Sequence, residues 1–377
     1  MKSILITGSA GFIGANLVLR LLENQEPTKI VGLDNLNAYY DPSLKDYRLK
    51  VIAEKAEKHP EHSYLFVKGD IVNKSLIDNL FAEHRFDIVV NLAAQAGVRY
   101  SIENPDAYIQ SNMIGFYNIL EACRHSYDVI PSPTNAVIPG STDAVISGST
   151  GNLYKGVEHL VYASSSSVYG GNKKVPFSVE DRVDNPVSLY AATKKSNELF
   201  AHCYSKLYNI PTTGLRFFTV YGPAGRPDMA YFGFTNKLLK GQTIQIFNYG
   251  NCCRDFTYVD DIVEGIIRVM AKAPEKKTGE DGLPIPPYRV YNIGGGQPEN
   301  LLDFVQILQE ELLRAGVLPA DYDFDAHKAL VPMQPGDVPT TYADATALER
   351  DFGFTPKITL RQGLRQFVQW YKEYYQS

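Results

Sequence analysis

The chain has 377 residues, of which 44% are hydrophobic and 21% are charged, and its formal net charge at pH 7 is -5. Its length exceeds the usual size of one domain, so we expect a large and a smaller domain with ample apolar residues for a core. The weakly acidic balance provides no basic surface for nucleic acid, and an anionic substrate must therefore be bound by local arginines.

The cysteines and the apolar segments indicate a cytoplasmic location. Cys123, Cys203, Cys252 and Cys253 show no spacing typical of a metal site, and adjacent cysteines rarely form structural disulfides. The first predicted strand begins almost at Met1, which leaves no room for a signal sequence, and no apolar stretch is as long as a membrane span. We therefore expect a soluble protein with free thiols, no metal and no membrane contact.

A glycine-rich segment near the start predicts a dinucleotide site. It follows the apolar run of residues 4–7 and precedes a helical apolar pattern over residues 12–22, so it lies on a strand-to-helix turn. Glycine there permits a tight bend and close approach of the backbone to a pyrophosphate, which lies on the amides at the start of the helix. An ordinary tight turn is the alternative interpretation. The predicted contacts are made by Gly8, Gly11, Phe12, Ile13 and Gly14.

Asp34 supports the dinucleotide interpretation. It ends a second predicted strand, twenty residues beyond Gly14, where a carboxylate accepts hydrogen bonds from both hydroxyls of the adenosine ribose. The same carboxylate repels a 2′-phosphate, and Asn35, Leu36 and Asn37 provide no arginine to compensate. A surface-turn aspartate is the alternative, but the strand, the glycines and the spacing together favour NAD over NADP.

Four further apolar segments alternate with amphipathic helices. They cover residues 64–67, 88–92, 160–163 and 212–216, and this alternation predicts an α/β fold with a doubly wound parallel sheet, the Rossmann arrangement. Ligands bind such sheets outside the carboxyl ends of the strands. For Ala93 and Ala94, plain core packing is an alternative explanation. The residues expected to line the adenine and the nicotinamide ribose are Asn35, Asp70, Ile71, Leu92, Ala93, Ala94 and Gln95, the last also bordering the substrate.

The later part of the chain predicts a smaller substrate-binding lobe at the C-terminal side. The pattern becomes less regular beyond Gly222, with a predicted strand over residues 243–247. Two apolar stripes predict helices over about 301–312 and 360–371, and both stripes favour core packing.

These patterns divide the chain into two domains and an insertion. We assign residues 1–221 and about 256–297 to the NAD-binding Rossmann domain, and about 222–255 and 298–377 to the nucleotide-sugar-binding lobe. A stretch at about 127–155 is rich in Ser, Thr, Pro and Gly and indicates an inserted surface loop, in which residues 137–138 and 144–146 are compatible with a short hairpin.

Tyr190 and Lys194 form a second chemical motif. They lie four residues apart in a segment of helical composition, so both side chains project from one face. A lysine ammonium and a nicotinamide cation beside a phenol lower its pKa from about 10 toward neutral pH, so Tyr190 can act as a general base. A chance occurrence of this spacing is the alternative. Four serines at 164–167 leave the preceding strand, where one hydroxyl can bind the reacting oxygen while others serve the backbone.

With these motifs in place, the chain resembles the extended short-chain dehydrogenase/reductase family, and within it the NAD-dependent nucleotide-sugar epimerases. The resemblance covers nearly the whole chain apart from about 127–155. Finer motifs are similar to those of the UDP-glucuronate 4-epimerase branch. They span residues 32–37 with 39–41, 94–101, 188–195, 216–223, 225–230 and 254–261.

The resemblance implies a role for each matching residue. Ser165, Tyr190 and Lys194 would be the catalytic trio, Asn112 would order the active-site helix, and Phe217 would lie beside the cofactor. On the substrate side it implies Gln95, Ser166 and Ser167 near the sugar, Thr219 and Arg99 at a sugar carboxylate, Arg254 at the diphosphate, Gln245 and Phe247 around the uracil, and Arg226 at either phosphate or carboxylate.

The resemblance also implies a reaction. Tyr190 removes the C4 hydroxyl proton while bound NAD oxidises C4, the 4-keto sugar turns in the pocket, and UDP-glucuronate becomes UDP-galacturonate. Related dehydratases and decarboxylases have acidic residues in the serine row, so their absence here disfavours water elimination. Gln334 stands where the family often has an arginine, which weakens the phosphate assignment.

Three alternatives to this reaction stay open. A UDP-glucose or UDP-N-acetylhexosamine 4-epimerase shares the chemistry and differs only around C5 and C2 of the sugar. A net NAD-dependent oxidoreductase would release NADH, and a non-enzymatic NAD sensor would not need an intact Ser, Tyr and Lys. By resemblance alone, we expect a homodimer formed through helices at about 101–126 and 188–208, with a UDP-sugar substrate and no nucleic acid or membrane partner.

Overall fold

The computed structural model of the chain describes residues 1–127, 156–333 and 338–375. The predicted insertion, apart from Tyr127, and Gln334 lie outside the described residues. The strands are β1 (Lys2–Thr7), β2 (Thr28–Asp34), β3 (Ser63–Lys68), β4 (Ile88–Asn91), β5 (His159–Ser165), β6 (Thr212–Phe217), β7 (Thr219–Tyr221), β8 (Ile244–Ile246), β9 (Cys253–Tyr258), β10 (Lys277–Thr278), β11 (Pro284–Ile285), β12 (Tyr288–Ile293), β13 (Pro298–Asn300), β14 (Lys328–Leu330) and β15 (Thr340–Thr341). The α-helices are α1 (Phe12–Leu21), α2 (Ser43–Lys58), α3 (Lys74–His84), α4 (Tyr100–Glu103), α5 (Pro105–Tyr108), α6 (Phe116–His125), α7 (Leu189–Tyr208), α8 (Ala230–Leu239), α9 (Val259–Met270), α10 (Leu301–Arg314), α11 (Thr346–Phe352) and α12 (Leu360–Tyr375).

Seven of the described strands form one parallel sheet. Their order from edge to edge is β12, β6, β5, β4, β1, β2 and β3. The chain builds outward from β1 to β3 and then returns to the other side of β1 with β4, so the direction of winding reverses between β1 and β4. Ligand crevices open at such reversals, and the predicted doubly wound α/β fold is confirmed.

Alternating side chains give this sheet two covered faces. In β1, Ile4 and Ile6 pack in the cluster that includes α1 and α9, whereas Leu5 between them packs with α3 and α6 on the opposite face. These three side chains are at most 4% exposed. Because helices cover both faces, the strands appear in the sequence as nearly continuous apolar runs.

A smaller set of elements lies outside the main sheet, in the part of the chain predicted to form the C-terminal lobe. β9 pairs with β7, β13 and β15, and β8 pairs separately with β14. α10 and α12 pack against one another beside these strands, and they contain the two predicted apolar stripes. Since β7 follows directly after β6, this second sheet begins at the carboxyl edge of the first.

Within residues 1–127, 156–333 and 338–375, no helix is both long and apolar enough to cross a membrane. The same residues contain no group of three or more histidine, cysteine, aspartate or glutamate side chains placed to hold a metal ion. The four cysteines carry free thiols, and Cys123 and Cys252 are buried.

Candidate active site

The turn between β1 and α1 requires glycine. Gly8 has a φ of +71°, and a Cβ there would lie 2.8 Å from the Ala93 nitrogen. A Cβ on Gly14 would lie 2.2 Å from the Gly8 carbonyl oxygen, and one on Gly11 would lie 2.9 Å from it. α1 begins after Gly11 with no side-chain cap, so its first amides remain available to another acceptor. The turn therefore fits a pyrophosphate, which needs close backbone approach and helix amides.

Asp34 is held by the backbone at the end of β2. Its Oδ2 accepts from the Ala10 amide at 3.2 Å, and its Oδ1 accepts from the Leu36 amide at 2.9 Å. The Nζ of Lys45, on α2, lies 3.6 Å from Oδ1, and both side chains are buried. The sequence interpretation missed this lysine, because the chain first turns at Leu36, where φ is +53°, before α2 returns to Asp34.

One cleft contains almost all of the residues predicted to bind the cofactor. Asn35 donates to Asp70 Oδ2 at 2.8 Å and so connects the ends of β2 and β3 beside this cleft. The predicted cofactor residues on its wall are Gly8, Gly11, Phe12, Ile13, Gly14, Asp34, Asn35, Asp70, Ile71, Leu92, Ala93, Ala94, Tyr190, Lys194 and Phe217. Lining residues that the sequence interpretation did not select include Tyr39, Tyr40, Lys45 and Ser111.

Asn112 lies behind the cleft rather than on its wall. Its Oδ1 accepts from the Gln95 amide at 2.8 Å, and its Nδ2 donates to the Gln95 carbonyl and to the Thr193 hydroxyl, both at 3.0 Å. It belongs to a π-helical segment, Ile109–Gly115, that precedes α6. Asn112 therefore connects the segment after β4 to α7, the helix that contains Tyr190.

Ser165, Tyr190 and Lys194 meet on the wall of the cleft. Burial raises the pKa of Tyr190, while a hydrogen bond from Ser165 and the charge of Arg226 oppose this rise. Burial lowers the pKa of Lys194 to about 8, and its Nζ donates to the Ala163 carbonyl at 2.8 Å. Among the described residues, Arg226 is therefore a further cation whose charge favours the phenolate, and the effect of Lys194 on Tyr190 stays a prediction.

Arg226 reaches the cleft as part of a cluster with Asp228 and Tyr39. Its Nε donates to Asp228 Oδ1 at 3.0 Å and its Nη2 donates to Oδ2 at 2.5 Å. The Tyr39 hydroxyl donates to the same Oδ2 at 3.2 Å. Asp228 lies in the motif over residues 225–230, but the sequence assigns it no role, because its partner Tyr39 lies far away along the chain.

Two of the predicted substrate residues, Gln95 and Arg226, line the wall of the cleft. The others in the described part of the chain lie elsewhere. The guanidinium of Arg99 lies 5.3 Å from the ring centroid of Phe247. Arg254 donates from Nη1 to two backbone carbonyls at 3.0 Å. The remaining predicted residues lie on the turn after β5, on β7 and on β8, and they are Ser166, Ser167, Thr219 and Gln245.

A buried ion pair lies directly behind the serine row. Arg216 donates to both carboxylate oxygens of Glu198, at 2.8 and 2.9 Å, and the Ser164 hydroxyl donates to Glu198 Oε1 at 2.7 Å. Arg216 also donates to the Tyr169 hydroxyl at 3.0 Å. The pair connects β5, β6 and α7, so it fixes the elements that contain Ser165 and Tyr190 relative to one another.

The chain matches the model of the NAD dependent epimerase/dehydratase family over residues 4–294. It belongs to this family. The resemblance inferred from the glycine, serine and tyrosine motifs is therefore confirmed, and the cofactor of this family member is NAD.

Curated relatives and solved structures resemble this family member along its whole length. The protein CapI of Staphylococcus aureus is 46% identical, and the alignment covers 99% of each chain. UDP-glucuronate 4-epimerase 4 of Arabidopsis thaliana is 44% identical over 99% of this chain and 76% of its own. The UDP-glucuronic acid 4-epimerase of Bacillus cereus, solved with UDP-glucuronic acid and NAD, aligns over 99% of this chain and 100% of its own, with a TM-score of 0.76 and 29% identity.

Proposed function

We propose that this family member interconverts UDP-glucuronate and UDP-galacturonate by epimerisation at C4 of the sugar. The observation that carries the proposal is the presence of Tyr190, Ser165 and Arg226 in one cleft, where they provide a proton acceptor, a hydroxyl and a guanidinium. The names of the Arabidopsis relative and of the Bacillus cereus structure support the same substrate.

The cleft would hold NAD along its length. The glycine turn after β1 would receive the pyrophosphate, and Asp34 would accept hydrogen bonds from the adenosine ribose. Tyr190 and Lys194 would border the nicotinamide ribose. When bound, NAD supplies reversible oxidation at C4 of the sugar.

Tyr190 would accept the proton of the C4 hydroxyl and return it when C4 is reduced again. Burial alone favours the neutral phenol, so nearby donors and cations must stabilise the phenolate. Ser165 and Arg226 provide this stabilisation in the chain itself. Inversion at C4 then requires the 4-keto sugar to present its opposite face to the cofactor while the nucleotide stays bound.

Arg226 is the residue that we assign to the sugar carboxylate. C5 is bonded to C4, so a group that binds the C5 carboxylate has to lie near Tyr190, and Arg226 acts electrostatically on Tyr190 from the same wall. The sequence interpretation favoured Arg99 and Thr219 for this role. Because Arg99 lies on the Phe247 ring, it is better placed to bind the nucleotide.

The other substrate assignments from the sequence stay proposals. We place Gln95, Ser166 and Ser167 near the sugar and Arg254 at the diphosphate, with Gln245 and Phe247 around the uracil. The serine row offers hydroxyls rather than carboxylates beside Tyr190, which favours epimerisation over the elimination of water.

Epimerases of neutral UDP-sugars are the principal alternative, and a comparison of substrates tests it. We expect kcat/KM for UDP-glucuronate to exceed that for UDP-glucose and UDP-N-acetylglucosamine by at least about tenfold, since a charge-assisted pair with Arg226 contributes about 1.5–3 kcal/mol. Equal values for acidic and neutral sugars would contradict the assignment. Accumulation of NADH in proportion to product would instead indicate a net oxidoreductase.

We further propose a homodimer formed through α6 and α7. Leu199 and Leu207 on α7 are 58% and 65% exposed, and Tyr117 on α6 is 42% exposed. The two helices lie side by side, with the Arg124 guanidinium over the Tyr208 ring at 4.3 Å. Such an exposed apolar face is typical of an interface with another copy. Light scattering should give the mass of a dimer for the wild type and of a monomer for L199D/L207D, and equal masses would contradict the proposal.

We also keep the two-domain division and the cytoplasmic location as proposals. Residues 1–221 and about 256–297 would form the NAD-binding domain, which is supported by the position of β12 at the edge of the main sheet. Residues 222–255 and 298–377 would form the lobe that binds the nucleotide-sugar, which is supported by the pairing of β8 with β14 outside that sheet. The free thiols support a reducing compartment.

A further inference from the structure

We propose that Asp228 is a positioning residue for substrate recognition: its carboxylate holds the Arg226 guanidinium so that one free edge faces the C5 carboxylate of the sugar. This inference rests on the proposed function and adds to it a residue with no direct contact to the reacting atoms. The observation behind it is the cluster of Arg226, Asp228 and Tyr39 at the cleft that contains Tyr190.

The geometry of the Arg226–Asp228 pair fixes the guanidinium in one plane. Nε donates to Oδ1 at 3.0 Å and Nη2 donates to Oδ2 at 2.5 Å, so the two planar groups meet edge to edge. Pro227 separates the two residues and restricts the backbone between them. Asp228 holds the guanidinium of Arg226, and Pro227 restricts the backbone beside it. The arginine side chain therefore loses little further freedom when a ligand binds.

Tyr39 holds the carboxylate from the other side. Its hydroxyl donates to Asp228 Oδ2 at 3.2 Å, and the guanidinium carbon of Arg226 lies 5.9 Å from its ring centroid. Burial and the nearby Asp228 raise the pKa of Tyr39 to about 12, so the phenol stays protonated and remains a donor. Burial opposes ionisation of Asp228, but the charge and hydrogen bonds of Arg226 outweigh it and lower its pKa.

The pair leaves one edge of the guanidinium for a ligand. A guanidinium can bind a carboxylate in a bidentate manner along two edges, and Asp228 uses the one formed by Nε and Nη2. The other edge, formed by Nη1 and Nη2, can receive a second carboxylate without displacing Asp228. This arrangement makes Asp228 a support for Arg226 rather than a competitor of the substrate.

Asp228 also limits the effect of Arg226 on the catalytic tyrosine. The charge of Arg226 lowers the pKa of Tyr190, and the charge of Asp228 raises it, so the two influences oppose each other at one phenol. The pair can therefore provide a directed hydrogen-bonding edge at the sugar carboxylate, while Asp228 offsets part of the effect of Arg226 on Tyr190.

Asp228→Asn tests the proposal, because asparagine keeps the shape of the side chain and removes its charge. We expect KM for UDP-glucuronate to rise about tenfold or more, because the contact with the sugar carboxylate is weakened in the ground state and the transition state alike. Removal of the Asp228 charge favours the phenolate of Tyr190, so kcat should not fall by more than about threefold. The inhibition constant of UDP, which has no sugar carboxylate, should stay within about twofold of the wild type. Asp351→Asn is the matched control, since Asp351 forms a bidentate pair with Arg350 on another part of the surface.

A double-mutant cycle separates positioning from a general structural effect. If Asp228 acts through Arg226, then Asp228→Asn should add less than about twofold to KM in an Arg226→Ala background. Tyr39→Phe provides a second variant that leaves both charges in place, and it should raise KM for UDP-glucuronate by about two- to threefold. Thermal unfolding of each variant shows whether it is folded.

Two results would overturn the role of Asp228. One is an unchanged KM for UDP-glucuronate in folded D228N, and the other is an equal loss from D228N with and without Arg226. Turnover of UDP-glucuronate by the wild type distinguishes a failure of this inference from a failure of the proposed function. A wild type that forms no UDP-galacturonate overturns the proposed function and this inference with it, whereas normal wild-type turnover with an unaltered D228N overturns only the inference.

Discussion

The ammonium of Lys45 lies 3.6 Å from the carboxylate of Asp34, at the part of the cleft that binds the adenosine ribose in the proposed complex. Both side chains are buried, so the interaction is weakly screened. A cation able to bind a 2′-phosphate is therefore already present, and the carboxylate of Asp34 is what offsets it.

Asp34→Ser should consequently move cofactor preference toward NADP. Removing the carboxylate leaves Lys45 beside the ribose, and we expect the ratio of NADP to NAD affinity to rise by about tenfold or more. Fluorescence titration of nucleotide-free protein with each cofactor measures this ratio without reference to turnover. Asp34→Ser/Lys45→Met is the control, and an equal NADP affinity in both variants would refute the role of Lys45.

Tyr190→Phe should remove catalysis without removing the fold. The substitution deletes only the hydroxyl that accepts the C4 proton, and loss of a general base lowers kcat by about 10²- to 10⁴-fold. Tyr322→Phe is a control, because the hydroxyl of Tyr322 donates to the Leu238 carbonyl in the C-terminal lobe. Near-normal turnover by a folded Tyr190→Phe protein would exclude Tyr190 as the base.

Gly14→Ala should prevent retention of NAD. The added Cβ would lie 2.2 Å from the Gly8 carbonyl oxygen, so the turn has to move away from the pyrophosphate position. Gly171→Ala is the matched control, because its Cβ would have no neighbouring atom within 4 Å. Nucleotide released from the purified, denatured proteins should be NAD for the control and strongly reduced for Gly14→Ala. Equal NAD content in the two variants would show that this turn does not hold the cofactor.

We predict that His159 makes the fold sensitive to acid. Burial in β5 lowers its pKa to about 4, and its Nε2 lies 2.8 Å from the Thr213 hydroxyl. Between pH of about 6.5 and 4 the unfolded chain binds the proton and the folded chain does not, so stability falls as pH falls, by about 3 kcal/mol in total.

Urea unfolding at a series of pH values tests the role of His159. His159→Gln should lose less stability than the wild type over this pH window, although its stability at neutral pH is lower. His202→Gln, at an exposed position, should retain the wild-type slope. A His159→Gln protein with the wild-type slope would show that other groups cause the acid sensitivity.

The sequence predicts the local parts of this molecule well. The glycine turn, Asp34 and the pair Tyr190 and Lys194 depend on residues close together along the chain, and the structure brings all of them to one cleft. The parallel sheet is equally visible, since strands buried on both faces leave continuous apolar runs.

The parts that the sequence does not predict depend on contacts between distant segments. Tyr39 meets Asp228 across 189 positions. Lys45 reaches Asp34 only through the turn at Leu36 and the path of α2. The hydrogen bond from Lys194 to the Ala163 carbonyl of the neighbouring strand is another contact that the motif alone does not reveal. Motifs therefore identify which residues matter, while tertiary packing decides which of them act together.

Proton NMR of the purified protein with UDP-glucuronate, and with no added NAD, tests the central claim most directly. The proposed function predicts that signals of UDP-galacturonate appear and reach a constant ratio with those of UDP-glucuronate, because NAD is regenerated in every cycle. An unchanged spectrum from protein shown to contain NAD would contradict it.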